Sequence, residues 1–403
     1  MPEWRYTALT KVGKKRRGVI TATDQAGATL SLRDLGMYAL TLRPVRTDVW
    51  WKQQIYFGRR VSTEDFSGFC RQLATLIRAG VTILDSMRIM VSQTSSKPLK
   101  AALGQVVSGL EEGRQISQCT EELPKIFPPI FVNMVRAGEI GGTLEDVLDR
   151  AARYFEREHY TREKIKSALT YPLIVGIVAV LVTFFLLIEV VPTFVTIFAS
   201  NHATLPLPTV IVMGVSQFFV SYWWLLVVLA ALGFFGDRFM MRYKSYRRLK
   251  DLAKLRMPVL GKMNERAVIA RMARTMSSLF ASAVPILQTL TIVSEVVNNT
   301  IVSDMLQEAA VSLQNGHSLA SPIAERKIFP PIVVHMIMVG EQTGNLDFML
   351  EKIADFYEAE TETSTDRLKA AIEPIMIVVL AIIVGTIVTA VLLPSFDLIS
   401  QLH

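Results

Sequence analysis

Acidic side chains are the residues of this chain whose grouping most resembles a chemical site. There are two acidic runs on segments with helical character, Glu145-Asp146-Asp149 and Glu358-Glu360-Glu362. Carboxylate oxygens are the ligands that hard divalent cations prefer, so either run could bind such an ion. Runs of this kind are also typical of solvated helix faces, and we favour that interpretation.

A catalytic constellation is not recognisable in the sequence. The five histidines are scattered, at positions His159, His202, His317, His335 and His403. The sequence contains no phosphate-binding glycine loop, no Gly-x-Ser-x-Gly, no His-Glu-x-x-His and no Cys-x-x-Cys. We therefore expect no enzyme activity, no metal and no cofactor, and any energy for work must come from a partner.

The two cysteines indicate a reducing environment. Cys70 and Cys119 are far apart in the sequence and have no neighbouring histidine pair. Spacing of this kind does not suggest a disulfide framework or a metal site. We expect reduced, structural thiols in a cytosolic part of the molecule.

The most specific polar pattern is Gly-Glu-x-x-Gly-x-Leu, which occurs twice. The residues shared by the two copies are Gly138, Glu139, Gly142 and Leu144 in the first, and Gly340, Glu341, Gly344 and Leu346 in the second. Glycine permits a tight turn between helices, and an acid can cap or complement a helix N-terminus. A structural role in a turn between two helices explains the pattern. A role in docking a partner protein is the more specific alternative, and the two roles are compatible.

These two motifs belong to a longer duplication. Phe127-Pro128-Pro129, Pro172 and Pro192 recur 202 residues later as Phe329-Pro330-Pro331, Pro374 and Pro394. The register holds without a gap between residues 127–194 and 329–396. Upstream the offset is 203 residues, pairing Arg71 with Arg274 and Leu76 with Leu279. The repeat predicts a soluble helical part that leads into a membrane helix.

Composition indicates a membrane protein. Of 403 residues, 51% are hydrophobic and 20% charged, with a mean hydropathy of +0.35, which is too apolar for an ordinary globular protein. Three segments reach the ~20 apolar residues that a bilayer requires, at 171–191, 210–236 and 374–393. Glu189 is the ionisable residue inside them. It could be a buried functional group, but its position near the segment end favours a side chain that reaches the headgroup region.

The distribution of basic residues predicts the orientation. The net charge is +7, and a basic stripe follows the second segment. We expect its first residues to lie at the membrane interface: Arg238, Arg242, Lys244, Arg247 and Arg248. The segments 192–209 and 394–403 contain no Lys or Arg, so the positive-inside rule places them outside and the helical parts in the cytoplasm. This placement argues against direct nucleic-acid binding.

The first 61 residues predict a small β-containing module. Residues 4–9 and 18–23 alternate as strands around a basic turn at 11–17, residues 30–36 indicate a short helix, and residues 40–42 a returning strand. The start lacks the apolar core of a signal peptide, so we expect a cytoplasmic N-terminus. Residues 46–61, with Trp50-Trp51, fit either a linker or an interfacial segment.

The expected fold is an all-α polytopic membrane protein with two repeated cytoplasmic helical bundles, three transmembrane helices and the small N-terminal module. The boundaries that we predict are as follows: module and linker 1–61, first helical domain 62–170, first span 171–191, external loop 192–209, second span 210–236, basic linker 237–264, second helical domain 265–373, third span 374–393 and external tail 394–403.

The paired motifs resemble the type II secretion system F domain family. The resemblance rests on two copies of Phe-Pro-Pro, Gly-Glu-x-x-Gly-x-Leu and a proline-started membrane helix. The segment 256–261 is similar to a lead-in common there, and the glycine and alanine pattern of residues 6–36 to the N-terminal module of longer members. One departure is that Ile140-Gly141 in the first copy corresponds to Gln342-Thr343 in the second.

The resemblance implies a non-enzymatic platform protein of the inner membrane, in type IV pilus, type II secretion or DNA-uptake systems. Its expected partners are a cytoplasmic hexameric assembly or retraction ATPase, pilins or pseudopilins, other inner-membrane assembly proteins and further copies of itself. A small membrane transporter or channel built from repeats is the alternative, although three spans without a polar midplane site offer no substrate path. A membrane enzyme is a third possibility, weakened by the missing constellation.

Overall fold

The computed structural model of the chain describes residues 3–10, 15–21, 25–34, 36–44, 61–193, 207–257, 260–326 and 328–401. The chain divides into two compact parts, residues 1–59 and 60–403, which are treated separately below. Residues 46–60 of the predicted linker and residues 194–206 of the predicted external loop lie outside the described ranges.

The N-terminal part contains a three-stranded antiparallel sheet. Strands β1 (Glu3–Thr10), β2 (Lys15–Thr21) and β3 (Met37–Pro44) lie in the order β2-β1-β3. Helix α1 spans Gln25–Asp34, so it begins five residues before the predicted start at Leu30. Ala8, Leu32 and Met37 form the small core between helix and sheet.

The first repeat consists of six helices. They are α2 (Thr63–Arg78), α3 (Ile83–Gln93), α4 (Lys97–Glu111), α5 (Ile116–Glu121), α6 (Pro129–Gly141) and α7 (Leu144–Phe185). Hydroxyl caps begin the first two: Ser62 Oγ accepts from the Asp65 amide at 2.9 Å and Thr82 Oγ1 from the Asp85 amide at 3.2 Å. Each cap satisfies an amide that has no partner within its helix.

The second repeat has the same six helices in the same order. They are α10 (Leu260–Ala281), α11 (Ile286–Val296), α12 (Thr300–Gln314), α13 (Ala320–Ala324), α14 (Pro331–Thr343) and α15 (Leu346–Gln401). Two helices connect the repeats, α8 (Leu207–Met240) and α9 (Lys244–Arg256). The predicted basic linker therefore contains a helix of 13 residues.

The Phe-Pro-Pro motif fixes the start of α6 and of α14. Phe127 is fully buried and stacks on Phe131 with ring centroids 5.7 Å apart. Pro129 is the first residue of α6, a position where the missing amide of proline has no cost. Phe329 and Pro331 occupy the same places at α14. The motif thus anchors a helix start in the core of each repeat.

One helix in each repeat continues from the soluble part into an apolar segment. Leu144–Thr193 and Leu346–Ala390 are the two described segments that are long and apolar enough to cross a membrane. The predicted boundaries at 170/171 and 373/374 therefore fall inside continuous helices, and Pro172 lies within α7. The helix continues past Phe185 through a π-helical turn, Leu186–Val190, which contains Glu189.

Helix α8 is bound to both of these helices by buried hydroxyl groups. Thr209 Oγ1 donates to the Ala390 carbonyl at 2.7 Å, and Ser216 Oγ donates to the Leu187 carbonyl in the π-helical turn. A small apolar core surrounds them, with Leu187, Val212 and Ile387 among its members. Hydrogen bonds of this kind hold helices together in a setting where water cannot serve as the partner.

Candidate partner-binding site

The glutamate of the repeated motif caps a short helix in its own repeat. Glu139 Oε1 and Oε2 accept from the amides of Ile116 and Ser117 at 2.7 and 3.1 Å, at the start of α5. In the second repeat, Glu341 accepts from the Leu319 amide at 2.8 Å and from Ser318 Oγ at 2.6 Å. A carboxylate at this place satisfies free amides and complements the positive helix end. The turn interpretation of the motif accounts for both copies.

The two glycines of the motif do different work. Gly142 and Gly344 end their helices in the left-handed region, with φ of 67° and 70°, which residues with a Cβ adopt at a cost. Gly138 allows close packing, because a Cβ there would lie 3.1 Å from Val147 Cβ and 3.2 Å from Leu144 Cα. Gly340 is equivalent, with Leu346 Cα at 3.0 Å from such a Cβ. Each repeat thereby holds two consecutive helices at a sharp turn.

The turn presents its non-motif residues to solvent. Ile140 is 78% exposed, and Gln342 and Thr343 are exposed at the same place in the second repeat. The predicted docking residues Glu139 and Glu341 are half-buried against their own short helices. Docking at this turn therefore stays a prediction. The exposed surface of the turn is formed by residues that differ between the copies, Ile140 in the first and Gln342 and Thr343 in the second.

The first acidic run lies in an ion-pair cluster. Asp149 is nearly buried and contacts Arg71 at 3.0 Å, Arg78 at 2.8 Å and Arg153. Burial opposes its ionisation, but the three arginines outweigh burial and lower the pKa of Asp149. Glu156 receives two hydrogen bonds from Arg71, which lower the pKa of the Glu156 carboxyl and raise that of the guanidinium. The interpretation of this run as a solvated face is wrong for Asp149.

The second acidic run is also occupied by basic partners. Glu358 is mostly buried and accepts from Arg274 at 2.8 Å and from Arg157 at 2.7 Å. Glu362 contacts Lys164 at 2.8 Å, which lowers the pKa of that carboxyl. Over the described ranges, no group of three or more His, Cys, Asp or Glu side chains is placed to hold a metal ion. Asp149, Glu358 and Glu362 therefore join helices through ion pairs.

The two repeats pack through positions that are not equivalent. The hydroxyl groups of Tyr154 on α7 and Thr275 on α10 are 3.1 Å apart, and burial raises the pKa of this tyrosine. Gln288 Nε2 on α11 donates to Asn133 Oδ1 on α6 at 2.5 Å. The sequence analysis missed these contacts, because no motif marks a pair of unlike positions 121 or 155 residues apart.

The predicted membrane-interface residues divide into two sets. Lys244 pairs with Asp304 of α12 at 2.9 Å, and Arg247 Nε donates to the Met241 carbonyl at 2.5 Å. Asp251 on the same helix accepts from the Thr300 amide at 2.9 Å and so caps α12. Part of the basic stripe therefore attaches α9 to the second repeat. Lys244 and Arg247 remain exposed beside these contacts, and Arg238, Arg242 and Arg248 are exposed as well.

Both cysteines are free and buried, in agreement with the predicted structural thiols. Burial raises the pKa of the Cys70 and Cys119 thiols, which keeps them protonated and unreactive near neutral pH. Gly109 provides the space for Cys119, because a Cβ at position 109 would lie 2.5 Å from the Cys119 sulfur.

Comparison with known proteins identifies the family. The description "Type II secretion system (T2SS), protein F" matches residues 69–192 and 272–394, one match in each repeat. The description "Type II secretion system protein F, N-terminal domain" matches residues 1–43. These two matches cover more than half of the chain.

Curated relatives align along the whole length. The type IV pilus assembly protein PilC of Thermus thermophilus is 37% identical, over 100% of this chain and 99% of its own length. The type II secretion system protein F of Pseudomonas aeruginosa is 33% identical, over 99% of each chain. The type IV pilus assembly protein TapC of Aeromonas hydrophila is 30% identical, over 98% of this chain and 95% of its own. Together with its two matched repeats, this similarity shows that the chain belongs to the type II secretion system protein F family.

Proposed function

We propose that this chain is the inner-membrane platform protein of a type IV pilus or type II secretion system. In this role it transmits movement from a cytoplasmic hexameric ATPase to pilin or pseudopilin subunits. The observation that carries the proposal is the continuity of α7 and α15, each of which joins a helical repeat to an apolar membrane segment. The names of the relatives, which include pilus assembly and secretion proteins, support the choice of system.

The proposed topology has three spans, with α8 as the second. Support comes from its 34 helical residues, its apolar stretch Thr209–Leu225 and its hydrogen bonds to α7 and α15. In this topology both repeats and the N-terminus lie in the cytoplasm and the C-terminus outside, which the basic residues around the proposed spans support. The exposed residues Arg238, Arg242 and Arg248 then lie where anionic lipid headgroups are found.

The proposed contact with pilins lies in the membrane. A cavity of about 380 Å³ opens between α7 and α15 and is lined almost wholly by apolar atoms, with Gly176, Ala179 and Phe219 on its wall. Small residues allow a further helix to approach closely within a bilayer. An apolar pilin helix has the chemistry that this cavity fits.

The proposed contact with the ATPase lies at the exposed turns of the two repeats. The motif residues Gly138, Glu139, Gly142 and Leu144, with Gly340, Glu341, Gly344 and Leu346, shape these turns. Ile140 in the first turn is a large apolar side chain that is 78% exposed, so a partner packed on this turn would remove it from water. The platform also associates with further copies of itself and with other assembly proteins of the inner membrane.

Purification of the full chain from its native membrane in detergent tests the proposal. We expect mass spectrometry to recover a secretion ATPase and a pilin or pseudopilin with the wild type. Ile140→Glu should reduce the ATPase recovered, whereas Val311→Glu, at another exposed apolar position, should not. Recovery of neither partner, with transport of a small molecule by the chain in liposomes, would contradict the platform function and favour a transporter.

A further inference from the structure

The asymmetric packing of the repeats leaves a second pair of complementary faces on the surface. We call Ile130, Asn133 and Tyr154 the receiving face of the first repeat, and Thr275, Leu279 and Gln288 the covering face of the second. Helices α10 and α11 lie against α6 and α7 through these faces. Because the sequence is duplicated, each repeat also carries the other kind of face.

The receiving face of the second repeat is uncovered. Its residues Ile332, His335 and Phe356 are the equivalents of Ile130, Asn133 and Tyr154. Ile130 is 1% exposed and Tyr154 3%, whereas Ile332 is 58% exposed and Phe356 57%. Equivalent positions in equivalent helices thus differ in burial, and the second repeat keeps large apolar side chains at both.

The covering face of the first repeat is uncovered as well. Its residues Gln72, Leu76 and Asp85 are the equivalents of Thr275, Leu279 and Gln288. Thr275 and Leu279 are buried, whereas Gln72 is exposed and Leu76 is half-buried. Gln72 and Leu76 lie on one side of α2, at the four-residue spacing of a helix face.

The polar pair at the edge of the interface is replaced by a different pair of hydrogen-bond donor and acceptor. Within the chain, Gln288 donates a hydrogen bond to Asn133. The equivalent residues on the open faces are Asp85 and His335. An imidazole N–H donates well to a carboxylate, so the open faces retain a matching donor and acceptor with the roles exchanged.

We propose that the open receiving face of one molecule, Ile332, His335 and Phe356, binds the open covering face of a second copy, Gln72, Leu76 and Asp85. This contact between two molecules would repeat the arrangement that joins the two repeats within each molecule. An interface that joins two unlike faces is head-to-tail, and it closes into a ring when the rotation between copies permits. All copies share one membrane, so that rotation runs about the membrane normal. The inference deepens the self-association included in the proposed function.

Disulfide cross-linking between two tagged chains tests this contact in the membrane. One chain carries Gln72→Cys and the other Phe356→Cys, at the positions equivalent to the touching pair Thr275 and Tyr154. We expect a cross-linked dimer that contains both tags. The matched control carries Phe348→Cys in place of Phe356→Cys, since Phe348 is exposed on the same helix but its equivalent, Asp146, is also exposed. A cross-link yield no higher than this control overturns the proposal.

Substitution of the open face gives a second readout on the purified full chain. We expect Ile332→Arg with Phe356→Arg to weaken self-association by about tenfold or more, because apolar side chains at the centre of an interface contribute most to binding. Phe348→Arg should leave the oligomer unchanged. Unchanged oligomers in the double variant would overturn the proposal, and loss of the ATPase with self-association retained would assign this face to the ATPase instead. Ile140→Glu affects ATPase recovery alone, so the two proposals fail separately.

Discussion

Asp149 links the ion-pair cluster of the first repeat to pH. Its pKa is lowered in the folded protein, so the unfolded state binds the proton more readily. The stabilising effect is therefore present above the ordinary carboxyl pKa of about 3.9 and is lost as the pH falls through the lower folded value. We expect Asp149→Asn to flatten the loss of thermal stability below about pH 4 and to destabilise the chain at pH 7 by about 1–2 kcal/mol.

The magnitude lies at the lower end for a charged hydrogen bond, because the three arginines are each more than a third exposed and are screened by water. Thermal unfolding of the full chain in detergent, followed by circular dichroism across this pH range, measures the effect. An acid profile identical to that of the wild type would show that Asp149 does not control it.

Glu139 gives a second prediction for a single residue. Glu139→Ala removes both acceptors from the amides of Ile116 and Ser117, so we expect a loss of about 1–3 kcal/mol. Glu341→Ala should act in the same direction in the second repeat. Glu163→Ala is the control, since its ion pair with Lys166 is on the surface and contributes little. Equal melting temperatures for Glu139→Ala and Glu163→Ala would contradict the capping role.

The sequence predicts the chemistry of such residues better than their partners. An acid beside a glycine turn indicates a helix cap, and Glu139 forms one. The capped helix lies about 22 residues earlier in the chain, which the motif does not specify. Asp149 was expected in solvent, because its partner Arg71 is 78 residues away and no local pattern joins them. Long-range electrostatic contacts of this kind depend on the packing of the helices.

The close approach of two consecutive helices at Gly138 gives a prediction at the scale of secondary-structure elements. We expect Gly138→Ala to destabilise the chain by about 1–3 kcal/mol, because the added Cβ would press on Val147 and Leu144 on the adjacent helix. Gly104→Ala, inside α4, meets no atom within 4 Å and removes a helix-weakening glycine. It should stabilise the chain by up to about 1 kcal/mol. Thermal unfolding curves of the two variants, each compared with the wild type, measure these effects. A stabilising effect of Gly138→Ala would contradict the close approach of the two helices.

Elements are predictable from sequence where a local signal ends them, and less so where composition changes along one helix. A glycine with positive φ marks a true turn at Gly80, Gly113 and Gly142 in the first repeat. The same holds for Gly316 and Gly344 in the second repeat. Hydropathy instead places boundaries at 170/171 and 373/374, where the backbone continues as a helix. Pro172 is accommodated within α7, so proline alone did not indicate an end. Hydropathy reports the solvent of a segment rather than the limits of its helix.

At the scale of the whole molecule, the number of spans fixes the sides on which the termini lie. Three spans place the N- and C-termini on opposite sides of the membrane, whereas two spans place them on the same side. We expect an alkaline phosphatase fused after His403 to be active, since this enzyme requires an external, oxidising location. A fusion after Tyr243 should be inactive. Activity after Tyr243 or inactivity after His403 would contradict the proposed role of α8.

The duplication predicts two helical bundles, and the family matches in both repeats confirm it. It does not predict how they pack. Two identical halves would lead one to expect equivalent contacts, yet Tyr154 is buried where its equivalent Phe356 is exposed. A head-to-tail contact between two repeats buries one face of each and leaves the other two open, and the shared residues that identify a repeat do not show which faces these are.

In the proposed function, the unbroken helix α7 would act as a lever with the first repeat at one end. Its 42 residues extend for about 63 Å at about 1.5 Å per residue. A tilt of only about 10° at one end would displace the other by about 11 Å, close to the diameter of one helix. Pro172 is where such an arm would bend first under load, because proline cannot supply the backbone hydrogen bond that stiffens the turn there. In the proposed function, the size of the movement would then depend on the length of α7, and the bending stiffness of α7 on Pro172.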